Sequence, residues 1–104
     1  TTRLCRVIGC RLRGRMSIKK DNAVVQGVII ESDSIGNNAI TVSANGVLVT
    51  GCVIVTKANN AITETSGYDC NVFANNICRR AIVKTGAHSL SVNNVDLDDM
   101  GVTA

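Results

Sequence analysis

Apolar and polar residues follow one figure along this chain, apolar-x-apolar-x-Gly/Asn-apolar-x-apolar, in five copies. The copies begin at Cys5, Ala23, Val47, Val72 and Leu90, and their Gly or Asn falls at Gly9, Gly27, Gly51, Asn76 and Asn94. These anchors lie 18, 24, 25 and 18 residues apart. A repeat of this length, built from short alternating segments, predicts a solenoid in which each turn buries its apolar edge against its neighbours.

Within a copy the apolar positions alternate with period two, as in a strand with one buried face. At the anchor the phase slips: Val7 to Cys10, Val25 to Val28, Val49 to Cys52, Ala74 to Ile77 and Val92 to Val95 are each three residues apart. Such a slip turns the buried set outward unless the backbone bends. Gly and Asn reach the left-handed region at low cost and supply that bend. The pattern therefore predicts positive φ at Gly9, Gly27, Gly51, Asn76 and Asn94. It also predicts a buried stack of Cys10, Val28, Cys52, Ile77 and Val95.

A second ladder runs through Ile18, Ile40, Ile62, Ile82 and Val102, spaced 22, 22, 20 and 20 residues apart. Its contexts are alike, Asn-Asn-Ala-Ile-Thr at 37–41 and 59–63 and Arg-Arg-Ala-Ile-Val at 79–83. This predicts a third strand per turn. The expected fold is an all-β solenoid of about five rungs of three short strands, spanning 1–104 as one domain. Its Gly/Asn corner is fixed, and variable loops occupy the other two.

The one-residue Gly/Asn bend, the stacked Val/Ile ladders and the Asn-Asn pairs resemble right-handed parallel β-helices of the pectate-lyase type. That superfamily contains pectate lyases, polygalacturonases, alginate epimerases and the shafts of bacteriophage tailspikes. The resemblance covers roughly residues 4–104. It is a resemblance of fold, because the ladders carry packing rather than chemistry.

Composition narrows the choice. Apolar residues make up 45% of the chain but aromatics only 2%, namely Tyr68 and Phe73, which suits a narrow tube with thin rungs. Pro is absent, so no strand loses a ladder hydrogen bond. No apolar run is long enough to span a membrane. The chain opens on Thr-Thr-Arg-Leu, without initiator Met or signal-peptide pattern, and ends soon after Val102; it reads as a fragment of a longer protein. Five cysteines stand at 5, 10, 52, 70 and 78 without metal-ligand spacing. Cys5, Cys10 and Cys52 fall on inward positions and Cys78 on the outward parity. Unpaired thiols point to folding in a reducing compartment such as a bacterial cytoplasm.

Charge is uneven. Residues 1–20 hold Arg3, Arg6, Arg11, Arg13, Arg15, Lys19 and Lys20 with no acid, while every acid lies from Asp21 onward. Axial docking to an acidic neighbour or a glycan is one reading of this basic rung. Solvated edge positions that block aggregation are the other. Too few aromatics are present for base stacking, so nucleic acid is not expected.

The candidate chemistry gathers near the last corner. Asp98 and Asp99 (with Asp96) fall one rung beyond Arg79 and Arg80, so acids and arginines are expected about 4.8 Å apart. They are candidates for acid/base work on a polysaccharide, or for an inter-rung salt bridge. Glu64 and Lys84, at equivalent places in neighbouring rungs, are expected to pair. His88, the single histidine, is expected at a turn. No polygalacturonase, phosphate-loop or nucleophile-elbow motif occurs, and no cofactor or metal is implied. The resemblance and the missing motifs together imply a structural or receptor-binding component of a bacteriophage particle, such as a tailspike, fibre or capsid-associated protein. It would be made in the bacterial cytoplasm, form a homotrimer among other virion proteins, and touch a host surface glycan. The alternative is the β-helical core of a secreted polysaccharide lyase, hydrolase or epimerase.

Overall fold

The computed structural model describes residues 6–32, 38–56, 60–96 and 101–103. The first turn carries β1 (Arg6–Ile8), β2 (Arg11–Arg13) and β3 (Met16–Ile18). The second carries β4 (Val24–Gln26), β5 (Ile29–Ser32) and β6 (Asn38–Val42). The third carries β7 (Leu48–Thr50), β8 (Val53–Thr56) and β9 (Asn60–Glu64), and the fourth β10 (Val72–Ala74), β11 (Ile77–Cys78) and β12 (Ala81–Val83). A last partial turn holds β13 (Leu90–Val92), β14 (Asn94–Asp96) and β15 (Gly101–Thr103).

The strands form three sheets that run the length of a β-solenoid of about four turns. The first sheet is β1-β4-β7-β10-β13, the second β2-β5-β8-β11-β14 with β15 added, and the third β3-β6-β9-β12. Every pairing is parallel except the last, in which β15 lies antiparallel to β14 with Val95 opposite Val102. Val102 is thus not the fifth member of the third ladder. Its spacing from Ile82 suited another rung, but an apolar pattern says nothing about strand direction, and the chain reverses there onto the edge of the second sheet.

The tube is filled by side chains stacked rung on rung. Val25, Val49 and Phe73 share one register in the first sheet, and Ile30, Ile54 and Cys78 one in the second. In the third sheet Ile40 stacks on Ile62 and Ile62 on Ile82. All of these are buried except Ile82, which packs half-buried against the core. Each buried Val or Ile stabilises the fold by about 1.5–3 kcal/mol. Ile18 departs from the expected ladder: Met16 pairs with Ile40, and Ile18 with Val42. Both positions of each strand point inward, so a slip of two residues preserves the pattern and the sequence could not fix the register.

The Gly/Asn corner joins the first and second sheets. Gly9, Gly27 and Gly51 have φ of 65°, 63° and 63°, as predicted. In the later turns the bend falls one residue early, at Asn75 (φ 59°) and Asn93 (φ 54°) rather than at Asn76 and Asn94. Asn76 and Asn94 are buried in the places that Val28 and Cys52 take in earlier turns. The inward set of these turns accordingly changes parity: Asn71 and Phe73 point in, Ser89 and Ser91 follow, and Leu90 is exposed. The expected stack is corrected with it. Val28 and Cys52 are buried, Ile77 faces out, Val95 is half-buried, Cys10 is exposed at the first turn, and Cys78 is inside.

Asn76 and Asn94 are buried because the corner leaves peptide groups inside the tube that need partners. Asn76 Oδ1 accepts from the Cys52 amide at 3.0 Å, and Asn76 Nδ2 donates to the Val49 carbonyl at 3.1 Å. Asn94 Oδ1 accepts from both the amide and Nδ2 of Asn76 at 3.0 Å, and Asn94 Nδ2 donates to the Phe73 carbonyl at 2.9 Å. Two asparagines thus stitch three rungs together.

Candidate functional site

The densest polar cluster among the described residues lies where the third sheet hands over to the first, from the end of the third turn onward. Glu64 ends β9 at the inward position that Val42 fills one rung earlier, and it is buried. Its Oε1 accepts from the amides of Thr85 at 2.7 Å and Gly86 at 2.6 Å. Its Oε2 accepts from Asn71 Nδ2 at 2.6 Å and from the Ser89 hydroxyl. Burial alone pushes the Glu64 carboxyl up; the donors from Ser89, Gly86, Asn71 and Thr85 outweigh it and hold the group below its usual range. Lys84, the expected partner, is exposed and takes no part. A buried carboxylate here is held by dipoles rather than by a cation.

Beside it stands an outer ladder. Asp21, Asn45 and Asp69 are spaced 24 residues apart. Each accepts the amide of the next turn: Asp21 Oδ1 from Asn45 at 3.0 Å, Asn45 Oδ1 from Asp69 at 2.9 Å, and Asp69 Oδ1 from His88 at 2.7 Å. The residue after each is left-handed, Asn22 (φ 62°), Gly46 (φ 70°) and Cys70 (φ 61°). This corner was expected to be a variable loop and is instead fixed through three turns. Its signal was present in the pairs Asp-Asn, Asn-Gly and Asp-Cys at constant spacing, but Cys is a poor left-handed residue and hides the third member. Replacing Cys70 with Gly should therefore raise stability by about 0.5–1 kcal/mol, the left-handed strain relieved less the entropy of Gly. Urea unfolding under reducing conditions checks it, and a drop in midpoint would contradict the strain argument.

His88 extends this corner. Its Nδ1 lies 2.7 Å from Asp69 Oδ2, with the imidazole largely in solvent. The His88 side chain, followed by the Cys70 amide, holds the Asp69 carboxyl down to about 2. No sequence neighbour signals a partner for His88, because Asp69 reaches it only through the stacking of turns.

The polar groups of this cluster are taken up with one another. The Ser89 hydroxyl accepts from the Asn71 amide at 3.1 Å, donates to Glu64 and is buried, so a substrate carbon has no approach to it. Among the described residues every carboxylate whose side chain is described accepts a bond from the scaffold: Asp21 from Asn45, Glu31 from Arg11 at 2.8 Å, Glu64 and Asp69 as above. Among the described residues no group of three His, Cys, Asp or Glu side chains is placed to hold a metal ion. Arg79 and Arg80 are exposed at the corner after β11. Asp98 and Asp99 lie outside the described residues, so the expected pairing with these arginines has no described geometry. At the first turn a cavity of about 360 Å³ opens over Val7, Met16 and Ile18, with Lys19 and Lys20 at its rim. No helix of the described chain is long and apolar enough to cross a membrane. No family model, curated protein or solved structure matches the chain.

Proposed function

We propose that this chain is a structural, receptor-binding β-solenoid segment of a larger homo-oligomeric particle, of the kind that forms bacteriophage tailspikes and fibres. The observation that carries this reading is the use of the described carboxylates. Glu64 accepts from the Thr85 and Gly86 amides and from the Asn71 and Ser89 side chains, and Asp69 from the Cys70 and His88 amides with the His88 ring on its other oxygen. A hydrolase or lyase needs a carboxylate free to exchange a proton with its substrate. Here Glu64 and Asp69 serve as rung-to-rung clamps, and the exposed surface is left for recognition. The resemblance to tailspike shafts supplies the particle, and the free thiols a reducing site of synthesis.

The test is incubation of the intact parent protein with bacterial surface polysaccharides, followed by size analysis of the glycan. The expected result is retention of chain length with saturable binding. Depolymerisation that is lost in Asp98→Asn or Asp99→Asn would make the chain an enzyme core instead.

A further inference from the structure

The outer face of the second sheet carries two parallel columns along the solenoid axis. Register places Arg11, Ile29, Val53, Ile77 and Val95 in one column. Arg13, Glu31 and Val55 lie in the other, and the amide of Arg79 bonded to the Ile54 carbonyl continues it to Arg79. The middle of this face is aliphatic and open: Ile29 is 40%, Val55 39% and Ile77 40% exposed. A contiguous apolar stripe flanked by charges of both signs fits a contact site.

The charges on this face read differently in the two directions. Glu31 stands one rung above Val55 and Arg79 one rung below. Glu31 Oε1 is held by Arg11, and among the described residues its Oε2 accepts no bond. Arg79 is exposed and has no ion pair among the described residues. We infer that this face binds a second copy of the chain in antiparallel orientation, about a two-fold axis lying along β8. That axis sets Val53 and Val55 against their own copies. It lays Ile29 on Ile77 of the other copy, and Glu31 against its Arg79, each contact occurring twice as a two-fold interface requires. Parallel packing, rung level with equal rung, reverses the strand direction and swaps the columns: Glu31 then faces Ile29 of the other copy and Arg79 faces its Ile77, so neither charge meets an opposite one. The face is thus self-complementary only when reversed.

The inference deepens the assembly reading above, on which it rests, and it replaces the parallel trimer implied by the resemblance with a dimer. Five rungs at about 4.8 Å and four residues at about 3.3 Å give a face of about 19 by 13 Å. That is below the roughly 800 Å² per partner of a stable complex, so the dimer is concentration-dependent.

Sedimentation equilibrium with reductant, at tens to hundreds of micromolar, tests it with Glu31→Arg and Arg79→Glu. Each variant alone places like charges at both contacts and should weaken self-association by at least about tenfold. An equimolar mixture of the two restores opposite charges at both contacts and should dimerise as the native chain does. Circular dichroism of each variant checks that the exposed substitutions leave the fold intact. A native monomer over this range, a native trimer, or singles that dimerise as well as the mixture would each overturn the proposal. Glycan cleavage does not depend on this face, so these results and the polysaccharide assay fail independently.

Discussion

Glu64→Val should destabilise the last turn by about 3–5 kcal/mol, although Val is what the preceding rung holds at that position. By the apolar pattern alone the substitution completes a column with Val42. In the structure it removes the shared acceptor of the Thr85 and Gly86 amides, the Asn71 side chain and the Ser89 hydroxyl. The two amides and one Asn71 N–H lose their acceptor, while Asn71 keeps the Ala44 carbonyl and Ser89 has only Asp69 Oδ1 at 3.4 Å. Glu64→Gln keeps one acceptor oxygen but turns an amide toward two donors, so about 2–3 kcal/mol is expected. A solenoid turn contacts only its neighbours, so the loss should be local. Hydrogen exchange should show protection lost over 81–96 and retained over 24–56. Glu64→Val as stable as the native chain would refute the clamp. The same carboxylate fixes the pH response. Its folded pKa lies below the ordinary 4.5, and that of Asp69 falls from 3.8 to about 2. Both groups therefore stabilise the fold above their ordinary values and lose that contribution as pH falls toward 2. The urea midpoint should fall across that window, and less steeply in Glu64→Gln.

Gly86→Ala should cost about 3 kcal/mol, against the usual sign for such a change at an ordinary φ. An added Cβ at Gly86 meets Asp69 Oδ1, and lies 2.7 Å from both Ser89 Oγ and the Tyr68 carbonyl. The side-chain oxygens could yield, but the Tyr68 carbonyl is backbone. Moving residue 86 outward lifts its amide off Glu64. The entropy gained from replacing Gly, about 0.4–1 kcal/mol, is smaller than the clash plus a weakened bond to a buried carboxylate. Thermal unfolding of Gly86→Ala beside Cys70→Gly gives the comparison, with opposite signs expected at the same corner of successive turns. A Gly86→Ala protein with an unchanged or higher melting temperature would show that the loop relaxes freely.

The pattern that makes a solenoid was legible because it is repeated. Alternation and a Gly at 9, 27 and 51 were enough to place the bend, the first two sheets and the buried positions of Val28 and Cys52. The errors begin where a polar residue takes an inward place. Asn71, Asn76 and Asn94 are buried to satisfy peptide groups, and Ser91 accepts from the Asn94 side chain, so a rule that equates inward with apolar shifts the bend by one residue and turns Ile77 and Leu90 the wrong way. Glu64 was placed beside Lys84 on the same grounds, since pairing of opposite charges is the default for an acid assumed to be exposed.

The sequence by itself determined the architecture, because period-two alternation, a repeat of about 20 residues and corner glycines are local demands that each turn meets in the same way. Tertiary structure alone decided which interior positions are polar, the register of Ile18 on Val42, the reversal at β15 and the meeting of Asp69 with His88. These depend on which hydrogen-bonding groups the stacking leaves unsatisfied, and a buried amide or carboxylate is tolerated only where neighbouring turns bring it donors.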